Sequence, residues 1–136
     1  MKKLLLVLFL LITSLSIATN SSGQPSSQEI QYQLISIVKP ILTGDYTEQQ
    51  KSNIHNEAYI INHNSFESIF EVLNNPEKRK SIVEGKNMNF EFIKIRVTDD
   101  QQNAYMVFNT NAASWHSVLF EKDENSNWKI VSWHKS

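Results

Sequence analysis

Four histidines are the residues best suited to acid–base or metal chemistry in this chain of 136 residues, which contains no cysteine. His55 and His63 flank a predicted strand, and His116 and His134 lie on strands near the end. No close His-x-x-x-His or His-x-His pair occurs, so no metal site is predicted. His116 is the candidate catalytic residue, because the pKa of an imidazole can be tuned close to neutrality. The alternative is a partly buried His116 whose ring is satisfied by a neighbouring group.

Asn62 and Trp133 are the other candidates for a binding site. Asn62 is predicted to help His116 orient a small apolar or amphipathic ligand, since a few convergent polar groups fix a ligand in an apolar pocket. The alternative is that Asn62 only ends a strand, in the polar sequence Asn62-His63-Asn64. Trp133 is assigned to the same ligand site, although aromatic residues on such strands also serve as core or interface anchors.

Composition excludes several classes of function. The 13 basic and 14 acidic residues nearly cancel, so the clustered positive charge of a nucleic-acid binder is missing. Without cysteine the chain has no disulfide, no thiolate nucleophile, no iron–sulfur cluster and no cysteine-bound zinc. There is no Gly-x-Ser-x-Gly sequence and, with only 3 glycines, no phosphate-binding glycine loop. The sequence therefore predicts no cofactor and no nucleic-acid partner.

The first 18 residues have the pattern of a signal peptide. Lys2 and Lys3 precede an unbroken apolar run, residues 4–12, and Ser16-Ile17-Ala18 supplies the small residues that a signal peptidase recognises. A retained membrane anchor is the alternative, but polar residues interrupt the stretch before the about 20 apolar residues that crossing requires. The prediction is export to the periplasm or the cell exterior, with no membrane contact after cleavage.

A flexible linker over residues 19–28 is predicted to join the signal peptide to one folded domain, 29–136, because the linker sequence is small and polar. The domain begins with apolar residues at helical spacing, and Ser27 is the expected cap of that helix. Gly44 is expected to end it. The apolar stripe consists of Ile30, Leu34, Ile37, Val38, Ile41 and Leu42.

The middle of the chain is predicted to alternate short elements. A helix is expected over Thr47–Ile54, a strand over Glu57–Ile61 and a further helix over Ser65–Leu73. The charged residues 77–86 are expected to form a solvated helical face that Gly85 interrupts.

The C-terminal half is predicted to be an antiparallel meander, because four β-branched or aromatic runs are separated by turn sequences. The adjacent apolar residues Phe92 and Ile93 break strict alternation and predict a bulge. Apolar residues also occupy both alternating positions of the third run, for example Leu119 and Phe120. Since a sheet that is apolar on both faces must be covered on both, a second copy of the chain is expected on the outer face. The predicted strands are Asn89–Thr98, Ala104–Thr110, Ser114–Lys122 and Trp128–His134.

Three sequence motifs, taken with this order of elements, resemble one known superfamily. Leu42-Thr43-Gly44-Asp45 resembles the "x-Gly-Asp" helix end of the nuclear transport factor 2-like superfamily, and residues 54–58 resemble its entry into the first strand. Residues 127–136 resemble the "Gly-x-Trp-x-Ile-x-x-x-His-x-Ser" ending of its SnoaL-like members. The chain is thus similar to the SnoaL-like and ketosteroid-isomerase-like branch. The resemblance implies an α+β fold in which N-terminal helices pack on a curved antiparallel sheet, the nuclear transport factor 2-like cone.

The catalytic positions of the ketosteroid isomerases in this superfamily differ in this chain. Those enzymes use a tyrosine, an aspartate base and a second, protonated aspartate. Counted along the resemblance, the positions are Ile37, Asn62 and His116. Isoleucine has no proton to donate, and an asparagine amide accepts no proton at neutral pH. The resemblance therefore places Ile37 in the predicted ligand site but implies no isomerase mechanism.

Three hypotheses about function follow from the sequence. The first is an exported binding or accessory domain that holds a small apolar or amphipathic ligand. The second is an isomerase, cyclase or dehydratase that uses His116 in place of a carboxylate. The third is a homodimeric interaction module without a functional pocket. The sequence favours the first, because the fold favours a cavity while the catalytic carboxylates are missing.

Overall fold

The computed structural model describes residues 25–136. The predicted signal peptide, 1–18, and residues 19–24 of the predicted linker lie outside the described residues, so both stay predictions. The chain divides into two compact units, Met1–Tyr32 and Gln33–Ser136, and the sheet and the sites below belong to the second. Among the described residues, no helix is both long enough and apolar enough to cross a membrane.

The first helix, α1, spans Ser27–Thr43 and so begins inside the expected linker. Its cap is Ser26 rather than Ser27, because the Ser26 hydroxyl accepts a hydrogen bond from the amide of Glu29 at 3.2 Å. Gly44 ends the helix as expected, with a φ of +82°, a backbone conformation that glycine adopts without steric cost.

A 3₁₀ helix of one turn, Gln50–Asn53, stands where the sequence predicted a second α-helix. Reciprocal hydrogen bonds start it: the Thr47 hydroxyl accepts from the Gln50 amide at 3.1 Å, and the Gln50 side chain accepts from the Thr47 amide at 2.8 Å. Strand β1 follows directly as Ile54–Asn62, three residues longer at its start than expected. The early start of β1 leaves no room for a longer helix.

Strand β2, Ser65–Ser68, occupies the segment that was expected to begin a helix. It pairs antiparallel with β1 through a tight turn in which His63 has a φ of +55°. Phe66 stacks on Tyr59 of β1, with ring centroids 4.6 Å apart. The predicted helix is present only in its second half, where α2 spans Ile69–Asn74.

The helical face expected over residues 77–86 is one turn long, because α3 spans only Pro76–Arg79. The Asn75 side chain caps it by accepting hydrogen bonds from two backbone amides, at 3.0 and 3.3 Å. Beyond α3 the chain turns over the sheet, and the Glu84 side chain there is only 8% exposed. The expectation of a solvated charged stretch is therefore wrong for Glu84.

The sheet has six strands in the order β2-β1-β6-β5-β4-β3. The predicted meander is confirmed, since each of its strands pairs antiparallel with the next. One pairing departs from the expected antiparallel sheet, because β1 runs parallel to β6. The strands of the meander are β3, Phe90–Val97; β4, Asn103–Thr110; β5, Trp115–Lys122; and β6, Trp128–Lys135.

Two bulges change which face of the sheet the side chains occupy. The predicted bulge is present in β3, where the register shifts between Phe90 and Phe92. A second shift, in the pairing of β5 with β6, lets Ile130 and Trp133 both be buried although they are three residues apart. A strict strand alternation would place these two residues on opposite faces.

The inner face of the sheet is the one that carries Met106, Phe108, His116, Val118 and Trp133, all at most 1% exposed. The outer face carries Phe92, Tyr105, Trp115 and Leu119, which are 40–47% exposed. Buried apolar side chains from the helices and from the segment after α3 complete the core with the inner face. They are Leu34, Val38, Ile41 and Leu42 of α1, Ile69, Val72 and Leu73 of α2, and Ile82 and Met88.

Candidate functional site

His116 projects from β5 onto the inner face, where its side chain is completely buried. Its ring stacks on Phe108, with centroids 4.6 Å apart and planes 7° apart. Trp133 meets the imidazole edge on, at a centroid distance of 5.8 Å. The strand register explains this grouping, because Phe108 lies directly opposite His116 on β4 and Trp133 lies on β6, the other neighbour of β5.

Both ring nitrogens of His116 are hydrogen-bonded. The Trp133 indole Nε1 donates to His116 Nδ1 at 2.9 Å. His116 Nε2 lies 3.0 Å from Glu84 Oε2. Because an indole nitrogen can only donate, Nδ1 is the acceptor, and we assign the ring proton to Nε2, which donates to the carboxylate.

Glu84 and Thr110 extend this set of hydrogen bonds, although neither was among the candidate residues predicted from the sequence. The Thr110 hydroxyl, which is fully buried, donates to Glu84 Oε1 at 2.5 Å. The Glu84 amide donates to the Leu42 carbonyl of α1 at 2.7 Å, which fixes the backbone of this segment. The one sequence signal was position: Glu84 follows the apolar pair Ile82-Val83 in a segment too short to be a solvated helix. We call Trp133, His116, Glu84 and Thr110 the buried network.

Burial is the largest influence on His116 and lowers its pKa from the ordinary 6.5 to about 4. Glu84 acts in the opposite direction through its hydrogen bond and its charge, and Lys135 adds to the lowering. The imidazole is therefore neutral near pH 7. This protonation state matches the network, in which Nδ1 must keep a free lone pair for the Trp133 indole.

Asn62 lies in the same row of the sheet as His116. Lys135 of β6 is paired with Asn62 on one side and with His116 on the other. The Asn62 side-chain oxygen is buried and has no hydrogen-bond partner among residues 25–136. Lys135 donates through Nζ to the Ser81 carbonyl at 2.5 Å, which ties the segment after α3 to β6. The structure thus brings Asn62, His116 and Trp133 to one face.

Ile37 is separated from this group. It is half-buried on α1 and lines a depression of about 260 Å³ beside Trp128 and Asn53. Neither His116 nor Asn62 lines that depression. The four residues of the predicted ligand site therefore lie in two places, and whether any of them binds a ligand stays a prediction.

The buried network has the properties of a structural element. Every polar group in it has a partner, and a satisfied buried network rigidifies the structure around it. A general base must reach the proton that it removes, whereas the His116 ring has no exposed surface and no unengaged nitrogen. Within residues 25–136 no group of three acidic or histidine side chains is placed to hold a metal ion.

The outer face is a second candidate site, because it carries large exposed side chains at both ends of its strands. At one end of strands β3 to β5, Phe92 and Trp115 form an exposed pair with ring centroids 5.9 Å apart. The register places both beside Asn109 of β4, which lies between them. We call Phe92 and Trp115 the aromatic knob.

A depression of about 330 Å³ lies at the other end of the same strands. Its walls include Arg96 of β3, Tyr105 of β4 and Leu119 of β5, which the register places side by side on the outer face. Phe92 and Arg96 are four residues apart along β3, a separation of roughly 13 Å in a strand. We call this depression the hollow.

Comparison with known proteins identifies the fold. The chain matches no protein-family model, and no curated protein is similar to it in sequence. Among solved structures, a nuclear transport factor 2-like protein of unknown function from Shewanella baltica is similar, with a TM-score of 0.63 at 10% identity. That match covers 83% of this chain and 97% of the other.

Two further structures show how widely this fold is used. One, from Shewanella frigidimarina, is provisionally described as a ketosteroid isomerase and has a TM-score of 0.58 at 15% identity over 74% of this chain and 92% of that one. The CaMKII hub of S. rosetta has a TM-score of 0.58 at 10% identity, and the match covers 83% of this chain and 98% of the hub chain. The chain thus has the nuclear transport factor 2-like α+β fold, as its sequence motifs predicted. Its assignment to the SnoaL-like branch stays a prediction.

Proposed function

We propose that this protein is a non-catalytic module that forms a homodimer through the outer face of its sheet. The observation that carries the proposal is the aromatic knob and the hollow, which lie on one face at opposite ends of the same three strands. Surfaces of this kind are self-complementary, because a two-fold axis that passes between two such faces, perpendicular to the strands, sets each knob opposite the partner's hollow.

The composition of the outer face supports this arrangement. Between knob and hollow lie Val107 on β4 and Ser117 on β5, with the charged Lys94 beside them on the edge strand β3. Exposed aromatic residues surrounded by a polar rim are the pattern of a protein interface, and tryptophan and tyrosine are the residues that most often dominate its binding energy. The basic residues Lys94 and Arg96 lie on β3, at the edge of the sheet.

The buried network also favours a module that acts through its surface. An enzyme that used His116 would need the imidazole to contact a substrate, and both of its nitrogens are engaged inside the protein. On this fold activity is set by the site rather than by the architecture.

The test is the association state of the purified chain, measured by sedimentation velocity over a range of concentrations. We expect a monomer–dimer equilibrium that Trp115→Ala weakens at least about 30-fold, since a buried interface tryptophan contributes about 2 kcal/mol or more. Leu119→Arg should weaken the dimer as strongly, because the added charge fills the hollow.

Phe66→Ala is the matched control, because Phe66 is an aromatic residue of β2 that is 68% exposed and lies outside both knob and hollow. Its dimerisation constant should stay within about twofold of the unchanged chain, a difference well below 1 kcal/mol. A chain that is monomeric at every concentration overturns the proposal. So does a Phe66 variant that dissociates as readily as the Trp115 variant.

A small apolar or amphipathic ligand bound near Asn62, His116 and Trp133 is the second candidate function. One observation favours it: the buried Asn62 oxygen has no partner among the described residues, and a ligand donor could supply one. Mass spectrometry of the purified protein under native conditions tests it. A bound molecule that is lost in Asn62→Ala supports this function, and a protein free of bound molecules contradicts it.

We also propose that the protein is exported. Support comes from the basic start, Lys2 and Lys3, the apolar residues 4–12 and the small residues up to Ala18. Expression of the full chain in a bacterium, followed by fractionation and N-terminal sequencing, tests this. A mature form that starts close to residue 19 outside the cytoplasm is expected, and an uncleaved chain in the cytoplasm contradicts export.

A further inference from the structure

The depression beside Trp128 has a lining that differs from that of the hollow. It measures about 260 Å³ and lies where the middle of α1, the 3₁₀ helix and the turn between β5 and β6 meet. None of its lining side chains is charged, and most of them are polar. They are Gln33, Ser36, Ile37, Asn53, Ser126, Asn127 and Trp128.

Trp128, which lines this depression, carries an unsatisfied donor. The residue is 5% exposed, and its indole Nε1 is buried with no hydrogen-bond partner among residues 25–136. Leaving a buried donor unpaired costs about 1–3 kcal/mol. The Lys122 ammonium lies 5.0 Å from the centre of the indole ring and holds the ring from the other strand of the hairpin.

The rim of the depression offers further unpaired polar groups. The side-chain amides of Gln33, Asn53 and Asn127 make no hydrogen bond to another residue of the described chain. The Ser36 hydroxyl donates to a carbonyl of its own helix at 2.6 Å and so keeps its lone pairs free to accept. A side-chain amide both donates and accepts hydrogen bonds, so the depression offers unpaired donors and unpaired acceptors.

The turn that carries Ser126 and Asn127 is held in place before any ligand arrives. The Asp123 carboxylate accepts hydrogen bonds from the Asn125 and Asn127 amides, both at 2.9 Å. Ser126 adopts a φ of +63° within this turn. A site whose polar groups are already positioned loses less conformational freedom when it binds.

We infer that the Trp128 depression binds a neutral polyhydroxylated ligand, such as a terminal sugar unit, with the Trp128 indole donating to a ligand oxygen. Sugar hydroxyls both donate and accept, as the rim amides do, and an uncharged lining gives no preference to an anion or a cation. Gln33, Ser36 and Asn127 of the lining are exposed, so a ligand can reach the depression from solvent. This site is independent of the proposed dimer, because its residues lie at the hairpin end and on the helix.

The experiment is a titration of ¹⁵N-labelled protein, followed by NMR through the Trp128 indole N–H signal. The probes are methyl glucoside, methyl N-acetylglucosaminide and maltose, with glucuronate and inorganic phosphate as charged comparisons. We expect a saturable shift of this signal with at least one neutral sugar. Asn127→Ala and Asn53→Ala should each weaken binding about 3- to 10-fold, the effect of losing one hydrogen bond.

Asn125→Ala is the matched control, since Asn125 belongs to the same turn but does not line the depression. It should leave the affinity unchanged. No saturable shift with any neutral sugar overturns the inference, as does tighter binding of glucuronate or phosphate. An indole signal in the free protein that moves upfield in Gln33→Ala also overturns it, because the Gln33 amide would then be the partner of the indole.

Discussion

Strand β5 places alternating residues in two opposite environments. On the inner face, His116 is fully buried, stacked and hydrogen-bonded through both nitrogens. On the outer face, Trp115 and Leu119 are 46% and 43% exposed. A titratable side chain of this strand is thus inside, and its largest aromatic side chain, Trp115, is outside.

This contrast shows that a single chain satisfies the polar groups of its inner face but leaves apolar area of its outer face in contact with water. The inner face tolerates a histidine because the buried network satisfies each of its polar groups, and a satisfied group has little cost of burial. The outer face keeps exposed apolar area that a second surface would remove from water. Residue polarity alone would have placed His116 outside and Trp115 inside.

The largest expected effect is a difference in stability between substitutions of two tryptophans, one on each face of the sheet. Trp133→Ala should lower the free energy of unfolding by about 3–5 kcal/mol, because it removes a fully buried side chain and leaves His116 Nδ1 without a donor. Trp115→Ala is the matched control and should change the stability of the monomer by about 0.5 kcal/mol or less. Urea unfolding at a concentration where the chain is monomeric measures both, and equal losses would break the contrast between the faces.

The second effect is a dependence of stability on pH that arises from His116 on the inner face. The folded His116 has a pKa of about 4 against 6.5 when unfolded, so the unfolded chain binds more protons between these values. Stability is therefore complete above pH 6.5 and falls by about 3 kcal/mol as the pH drops towards 4.

The measurement is the NMR titration of the His116 ring, which should stay neutral down to about pH 4. His116→Gln should flatten the slope of the unfolding free energy between pH 4 and 6.5, while His134, which is exposed, provides the control through His134→Gln. A His116 signal that titrates at its ordinary pKa would show that the imidazole is not enclosed.

The third effect concerns Glu84. Glu84→Ala should cost about 1–3 kcal/mol, because the His116 Nε2 proton and the Thr110 hydroxyl both lose their acceptor inside the protein. Glu84→Gln keeps an oxygen for the imidazole and should cost less. Thermal or urea unfolding of the two variants gives the order, and an alanine variant as stable as the glutamine one would contradict a role for the carboxylate.

The smallest effect is expected on the outer face. Phe92→Ala should leave the monomer within about 0.5 kcal/mol of the unchanged chain, since Phe92 is 47% exposed. The same change should weaken the dimer, because Phe92 is half of the aromatic knob. Sedimentation and urea unfolding on one sample separate the two results, and a loss of stability without a loss of association would assign Phe92 to the core.

The meander was predictable because alternation and turn sequences are local signals. Its four strands begin and end within one residue of the predicted bounds. The segment at Ser65 was not predictable, since its apolar spacing also fits a helix. The segment forms a strand because the tight turn at His63 directs the chain back along β1, where Phe66 stacks on Tyr59.

The candidate site was predictable only in part. The sequence identified His116 and included a buried, satisfied histidine among its interpretations. For Glu84 it gave only a weak positional signal, because a charged residue in a polar stretch is normally exposed and only the folded chain brings it beside Thr110. Ile37 was joined to His116 through the resemblance, whereas the helix directs it to the depression beside Trp128.

The segment after α3 has no regular secondary structure, yet Glu84 and Gly85 both donate their amides to the Leu42 carbonyl. Glu84 also anchors the segment through the buried network, and Lys135 holds it at Ser81. Opening this segment alone would expose a carboxylate, an imidazole and a hydroxyl that all depend on one another. The backbone amides of Glu84 and Gly85 should therefore exchange hydrogen with solvent as slowly as the amides of the sheet, because they open only when the sheet opens.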